Sequence, residues 1–347
     1  MLPLHPIVQN DIEEIIKATK NDLLFLEGKH IVITGSLGML GKYLMYTFLY
    51  NNAYILKRRA KLHVIVRNKN YFFGKDKNID YIICDIAKET PSISRADYIL
   101  HAASKSAPKI YTQYKIDTLN TNVLGTYNLL KICDKNTKSF LYFSSAEIYG
   151  SPKEDTPIDE KYIGSFDHLN NRSCYTEGKR AAETICMNYF FEKNIPVKIA
   201  RLYHILGPEL NVNDGRAFSD FIQFGLHNKN IAIHGDGSLK RSYLYTKDAT
   251  IMLIKILLSN RNGEIFNVGS DKNVVSIKEL AELTCNIFNE VYQKKIRVIV
   301  RKKNNLYYNN AVQSIIPNIE KFKHSFRYTP NTDLETALRK TIRYFSS

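Results

Sequence analysis

The sequence predicts an α/β protein: a doubly wound parallel sheet with a smaller C-terminal lobe. Three observations carry this expectation. Short, continuously apolar runs alternate with helical stretches, the pattern of strands buried on both faces of a sheet. A glycine triplet follows the first of these runs and opens a helix. After Gly207-Pro208 the alternation gives way to loops and short elements.

Residues 1–28 read as an N-terminal extension to which no chemistry is assigned. Ile7, Ile12, Ile15 and Ile16 fit one face of a short helix packed on the domain edge, and Leu23, Leu24 and Leu26 follow. Residues 29–206 read as the sheet domain. Its first buried strand is Ile31-Val32-Ile33, and residues 39–50 are the next helix. Further strands are expected at 62–66, 81–83, 98–100, 141–143 and 197–200, with helices near 119–134 and 174–193. Residues 207–347 read mainly as the second lobe, with one strand near 264–269 returning to the main sheet.

Composition narrows the function classes. A chain of 347 residues can bury a full core, and 44% apolar with 24% charged residues is ordinary for a soluble globular protein. No apolar run has the length of a membrane span. Asn10, Asp11, Glu13 and Glu14 interrupt the first apolar residues too early for a secretory leader. Cys84, Cys133, Cys174, Cys186 and Cys285 are scattered without C-x-x-C spacing. They read as reduced thiols in a cytoplasmic protein, neither disulfides nor metal ligands, so no metal site is expected. The net charge of +15 is spread along the chain with no nucleic-acid-binding motif. It reads as a solvated lysine surface that helps attract an anionic nucleotide, not as a polynucleotide site.

The segment Thr34-Gly35-Ser36-Leu37-Gly38-Met39-Leu40-Gly41 has strand–turn–helix context. Glycine at 35, 38 and 41 lets the backbone turn tightly and approach a pyrophosphate, whose charge the helix N-terminus meets. A Rossmann-type dinucleotide site is therefore expected. The second strand ends in Arg67-Asn68, where the rule for NAD calls for an acidic residue. An arginine there suits a 2′-phosphate or lies against adenine, so NAD is expected with NADP left open. The segment joining helix and strand is long, so Arg58 or Arg59 could lie nearby. Asp85, followed by Ile86 after the third strand, reads equally as an adenine-side acceptor or as a turn residue.

Tyr175 and Lys179 stand four residues apart on a helix and so share a face. A lysine ammonium beside the ribose, with the positive nicotinamide ring, would lower the tyrosine pKa. The tyrosinate could then take a hydroxyl proton while hydride leaves the same carbon. Ser145, ending a strand in Ser144-Ser145-Ala146-Glu147-Ile148-Tyr149-Gly150, can hydrogen-bond that hydroxyl. Y-x-x-x-K alone is common by chance; after the serine-bearing strand and the glycine loop it is much less so.

With these motifs the chain resembles the extended short-chain dehydrogenase/reductase superfamily, in particular its nucleotide-sugar epimerases, dehydratases and decarboxylases. The resemblance spans nearly all of residues 29–346. His101-Ala102-Ala103-Ser104 matches the family segment beside the cofactor, and Asn122-Val123-Leu124-Gly125-Thr126 its structural asparagine helix. Arg201-Leu202-Tyr203-His204-Ile205-Leu206-Gly207-Pro208 matches the strand leading to the substrate lobe. Lys240-Arg241-Ser242-Tyr243-Leu244-Tyr245 matches the segment whose arginine grips a pyrophosphate. Asn213-Asp214-Gly215-Arg216, followed by Phe218, Asp220 and Phe221, looks most like UDP-glucuronate decarboxylases. So does Arg172-Ser173-Cys174-Tyr175-Thr176-Glu177-Gly178-Lys179-Arg180, which continues into Ala182-Glu183-Thr184.

The resemblance implies a set of roles. Ser145, Glu147, Tyr175 and Lys179 are the candidate catalytic residues. The cofactor would be held by Gly35, Gly38, Met39, Leu40, Gly41, Arg67, Asp85, Ile86, Ala102, Ala103, Ser104, Asn122 and Lys179. A nucleotide-diphosphate sugar would meet Ser145, Ala146, Glu147, His204, Gly215, Arg216 and Arg241. Glu147 recurs in decarboxylases and in 4,6-dehydratases, as a base or to steer the ring near C5; its plain alternative is a hydrogen-bonded structural role. Ala146 stands where one dehydratase class carries an acid. His204 replaces the family's substrate-contacting asparagine. A further arginine expected before Pro317-Asn318 is missing, with Tyr307, Tyr308 and Asn310 in that region.

The expected function is nucleotide-sugar modification through a 4-keto intermediate, with UDP-glucuronate decarboxylation as the leading reading. The alternatives are a 4,6-dehydratase, 4-epimerase or 4-dehydrogenase/reductase. A dinucleotide-sensing regulator would carry a damaged triad, and this one is intact. The resemblance also implies a homodimer through the helices of Asn122 and Tyr175, with Ala181, Ala182, Ile185 and Tyr189 on the shared face; a monomer by light scattering would contradict it.

Overall fold

The computed structural model of the chain describes residues 4–71, 76–152, 155–301 and 314–347. The first helix, α1 (Pro6–Leu23), precedes β1 (His30–Thr34), α2 (Met39–Tyr54), β2 (Lys61–Val66), β3 (Ile79–Ile83) and β4 (Tyr98–His101). A one-turn α3 (Pro108–Tyr111) leads into α4 (Lys115–Leu130), β5 (Ser139–Ser145) and the short β6 (Pro157–Ile158). Then come α5 (Ser173–Lys193), β7 (Val197–Leu202), β8 (His204–Leu206), α6 (Ala217–Leu226) and β9 (Ile231–His234). They are followed by β10 (Lys240–Tyr245), α7 (Thr246–Leu258), β11 (Glu264–Val268), β12 (Val274–Ser276), α8 (Ile277–Tyr292), β13 (Val298–Arg301) and β14 (Ile316–Pro317). Two helices, Glu320–Phe326 and Leu334–Ser346, close the chain.

Seven strands form one sheet in the order β11-β7-β5-β4-β1-β2-β3. Every pairing in it is parallel. This is the doubly wound sheet expected from the apolar runs. β5 is an interior strand, between β7 and β4, and all seven of its residues are buried, which explains why it reads as a continuous apolar run between its terminal serines. The chain leaves β1 toward β2 and β3 on one side and toward β4, β5 and β7 on the other. That reversal opens a crevice at the carboxyl ends of β1 and β4, the place where such sheets bind ligands. The later segment contributes separate small sheets: β10 lies between β8 and β12, and β9 pairs with β13. Around them, Phe218, Phe221, Ile222, Leu280, Phe288 and Leu338 form a second apolar core.

Two findings depart from the sequence reading. The N-terminal helix is longer than expected and packs on α2 and α7. Its Asp11 is fully buried, accepting hydrogen bonds from Tyr43 (2.9 Å) and Tyr245 (2.6 Å) and pairing with Lys340 at 2.9 Å. The local pattern could not assign Asp11 to the interior, because all three partners are remote in sequence. On α5, Ala182 is fully buried in the core beneath the sheet, so it cannot belong to an outer helix face. Among the described residues, the exposed large apolar side chains of α4 and α5 are instead Ile116, Leu119, Leu124, Tyr127 and Phe191.

Lys198 of β7 is fully buried, donating to Ser139 Oγ at 2.9 Å and to the Leu257 carbonyl at 3.2 Å. Burial lowers its ammonium from the usual 10.5 to about 7. Between these values the unfolded chain holds a proton that the folded protein has released, so folding stability rises with pH across that window. Lys198→Met should flatten the rise, read from urea unfolding at pH 7 and pH 9. Lys179 titrates in the same direction, so part of the slope remains; an unchanged slope would count against the assignment.

Candidate active site

The glycine loop is shaped by close approach. Gly35 has φ +72°, and a Cβ there would sit 2.7 Å from the Ala102 carbonyl carbon. A Cβ on Gly41 would stand 2.1 Å from the Gly35 carbonyl oxygen, so α2 can cross the loop only with glycine at that place. The Gly38 N–H donates to Gly35 at 3.1 Å, and Gly38 caps α2 without any side-chain hydrogen bond. The first N–H groups of a sixteen-residue helix are thereby left for a ligand. Behind the loop, Thr34 Oγ1 accepts from the Ala103 N–H (3.1 Å) and lies 3.0 Å from His101 Nδ1. Burial pushes His101 down to about 3, so the ring is neutral and serves as a brace between Thr34 and Thr126.

A cavity of about 970 Å³ is lined by the glycine loop, by Ala102 to Ser104, by the ends of β5 and α5, and by residues of the second lobe. The residues beside the loop suit a dinucleotide. The buried hydroxyls of Ser36 and Ser104 have no hydrogen-bond partner among the described residues, a costly arrangement unless a ligand answers them.

Ser145 ends β5, and Tyr175 and Lys179 rise from α5 beside it. Tyr175 is buried, its ring stacked on Tyr111 with centroids 4.9 Å apart and planes 7° apart. Burial, reinforced by the charge of Glu147, pushes its hydroxyl up to about 12, while a hydrogen bond with Ser145 and the charge of Arg216 oppose the shift. Lys179 donates to the Phe143 carbonyl at 2.6 Å, and its Nζ lies 5.8 Å from the Tyr175 ring centroid. Burial lowers its ammonium to about 7, against the charge of Glu183. In the protein alone, the Lys179 ammonium is engaged by a backbone carbonyl.

Glu147 follows in a short 3-10 turn. Its carboxylate accepts from Tyr111 (3.3 Å) and from Arg172, whose Nη2 lies 3.4 and 3.3 Å from the two oxygens. Ala146 is buried beside it. From the second lobe come His204, Gly215, Arg216 and Arg241, all lining the cavity. The His204 ring stacks on Tyr243 at 5.8 Å, and burial with three neighbouring arginines holds its pKa well below the usual range. Arg216 donates to the Ser106 carbonyl at 2.9 Å. Gly215 adopts φ +78°, which turns the chain between Asp214 and Arg216.

Four expected cofactor residues are not among those lining the cavity: Arg67, Asp85, Ile86 and Asn122. Arg67 is exposed at the end of β2. Asp85 organises the turn after β3, accepting from the Ala87 N–H at 3.2 Å, which is its turn reading. Ile86 packs over Gly125, where a Cβ would stand 3.0 Å from its Cδ1. Asn122 is buried between α4 and α5 against Gly178, and neither its side-chain nitrogen nor its oxygen has a partner among the described residues. Tyr307, Tyr308 and Asn310 lie outside the described residues. Sequence reasoning overlooked Tyr111 and Arg172 as site residues. Arg172 had a local signal, three positions before Tyr175 on the same helical face; Tyr111 is brought in by α3 from over sixty positions away and had none.

The comparisons agree with this architecture. Residues 31–269 match the model of the NAD dependent epimerase/dehydratase family. UDP-glucuronic acid decarboxylase 1 of Danio rerio is 30% identical over 92% of this chain and 73% of its own length. Among solved structures, an epimerase from Methanothermobacter thermautotrophicus superimposes with TM-score 0.79 at 20% identity, covering 95% of this chain and 96% of its own. UDP-glucuronic acid 4-epimerase from Bacillus cereus, in complex with UDP-glucuronic acid and NAD, gives TM-score 0.74 at 21% identity over 91% of this chain and 98% of its own. At these identities the two structures speak for the fold. Family match, sequence relative and site geometry together establish that the chain belongs to the NAD-dependent epimerase/dehydratase family and is an enzyme of the extended short-chain dehydrogenase/reductase class.

Proposed function

We propose that the enzyme modifies a nucleotide-diphosphate sugar through a 4-keto intermediate, and that its reaction is decarboxylation of a UDP-glucuronate-like substrate. The observation that carries this is the convergence of Ser145, Glu147, Tyr175 and Lys179 in one cavity between the glycine loop and the arginines of the second lobe. NAD is the cofactor favoured by the family, and Arg67 keeps NADP open.

A nicotinamide dinucleotide held by Gly35, Gly38, Gly41, Ala102, Ala103 and Ser104 would supply reversible hydride acceptance and a positive charge that favours tyrosinate. Tyr175 takes the proton of the C4 hydroxyl, which Ser145 orients. The C4 carbonyl so formed makes a C6 carboxylate part of a β-keto acid. The C5–C6 bond then breaks, its electron pair moves toward the C4 oxygen, CO₂ leaves, and a proton adds at C5. Arg216 and Arg241 hold the pyrophosphate, a task suited to planar bidentate guanidinium groups. The decarboxylase relative supports this outcome. Glu147, beside Ser145, favours a second reading, 4,6-dehydration with Glu147 as base; Ala146 offers no acid for the departing hydroxyl.

The test is to release and identify the dinucleotide that copurifies, then to incubate the enzyme with UDP-, GDP-, CDP- and dTDP-sugars and follow masses. Loss of CO₂ from UDP-glucuronate is the expected result. An unchanged UDP-glucuronate eliminates decarboxylation, and loss of water from a neutral sugar would select the second reading.

A further inference from the structure

Three arginines line the cavity that contains Tyr175, and they are not equivalent. Arg216 and Arg241 come from the second lobe. Arg216 is tied to the Ser106 carbonyl at 2.9 Å and lies 3.6 Å from Asp214; Arg241 donates to the Lys240 carbonyl at 2.8 Å. Arg172 instead caps α5, three residues before Tyr175. Its guanidinium carbon stands 5.5 Å from the centroid of the Tyr111 ring, the ring stacked on Tyr175. Its Nη2 meets both oxygens of Glu147, at 3.4 and 3.3 Å. Both side chains are mostly withdrawn from solvent, 17% and 20% exposed.

A good ion pair of this kind closes to about 2.7–2.9 Å. The Arg172–Glu147 contact is longer and runs through one nitrogen, so it is a pair that another carboxylate can enter. Charge matching points the same way. The pyrophosphate of a nucleotide sugar carries about two negative charges, which the two second-lobe arginines match. The third arginine lies next to the reacting hydroxyl, where the sugar must sit, and beside Glu147, which would repel an acidic sugar unless a cation stood with it. We infer that Arg172 selects a sugar bearing a carboxylate: its guanidinium passes from Glu147 to the substrate carboxylate on binding. It returns to Glu147 once a product lacking that carboxylate departs. The inference rests on the nucleotide-sugar reading above and names the residue that would select the acidic sugar that reading proposes.

The test measures binding by calorimetry to cofactor-loaded protein in the Tyr175→Phe background, so that substrate is not consumed. The ligands are UDP, UDP-glucose and UDP-glucuronate. With Arg172 intact, UDP-glucuronate should bind more tightly than UDP-glucose. Arg172→Gln should cut that preference roughly ten- to a hundred-fold, the range of a charge-assisted hydrogen bond, and leave UDP affinity in place. Arg172→Lys, which keeps the charge and loses the planar fork, should fall between. An acidic-over-neutral ratio unchanged in Arg172→Gln overturns the inference alone, as does a loss of UDP affinity equal to the loss of UDP-glucuronate affinity. Failure of the Arg172-intact protein to bind any of the three ligands overturns the UDP-sugar reading and this inference with it.

Discussion

Tyr175→Phe is expected to abolish turnover while leaving the dinucleotide and the sugar nucleotide bound. Phenylalanine keeps the ring that stacks on Tyr111 at 4.9 Å, so the change removes only an O–H. In the proposed mechanism the deprotonated form of that group takes the C4 proton beside Ser145. Positioned proton transfer contributes about 10²–10⁴-fold, so the residual rate should fall at least about a hundredfold. Stability should change little, because the hydroxyl opens on the cavity. The decisive pair of measurements is single-turnover rate and cofactor occupancy. A rate within a few-fold of the parent would remove Tyr175 from the mechanism.

Arg201→Met is expected to have the largest effect on stability. Arg201, on β7, donates from Nε and Nη2 to the two oxygens of Glu183 at 3.1 and 2.7 Å. Its Nη1 donates to the Tyr149 hydroxyl at 3.0 Å and to the Glu160 carbonyl at 2.8 Å. Glu183 also accepts from Ser144 at 2.5 Å, and Tyr149 donates to Asn267 at 2.7 Å. Methionine fills much of the volume and leaves Glu183 buried without its cation, which costs about 3–5 kcal/mol. Glu183→Leu combined with Arg201→Met removes both charges and should recover most of that loss, since a buried pair replaced by apolar groups is often near neutral. Urea unfolding of the parent, the single variant and the double variant measures both. A single-variant loss below about 1 kcal/mol would mean the pair is solvated and this account is wrong. The network joins Ser144, next to Ser145, to Glu183, four residues beyond Lys179, so the same variant should also disturb the catalytic end of β5.

The parallel sheet was legible in the sequence because buried parallel strands leave a local trace, an apolar run of a few residues bounded by turns. The glycine loop was legible because its spacing is a local pattern and Gly41 is demanded by the Gly35 carbonyl six positions back; the contact that demands Gly35, with Ala102, is remote in sequence. Tyr175 and Lys179 were legible as a pair because helical geometry sets four-residue neighbours on one face. Their electrostatics were not. In the protein alone, Lys179 is engaged by the Phe143 carbonyl, thirty-six positions away, and burial raises Tyr175. Asp11 failed for the same reason, since its partners Tyr43, Tyr245 and Lys340 come together only when the helices pack.

The sequence by itself thus determined the sheet, the glycine loop and the pair proposed to begin the chemistry, because each leaves a pattern readable over a few residues of chain. Only the tertiary structure decided what surrounds that pair: Tyr111 against Tyr175, Arg172 against Glu147, Arg201 against Glu183. Those contacts join segments far apart in the chain, and their energies depend on burial, which no local pattern records.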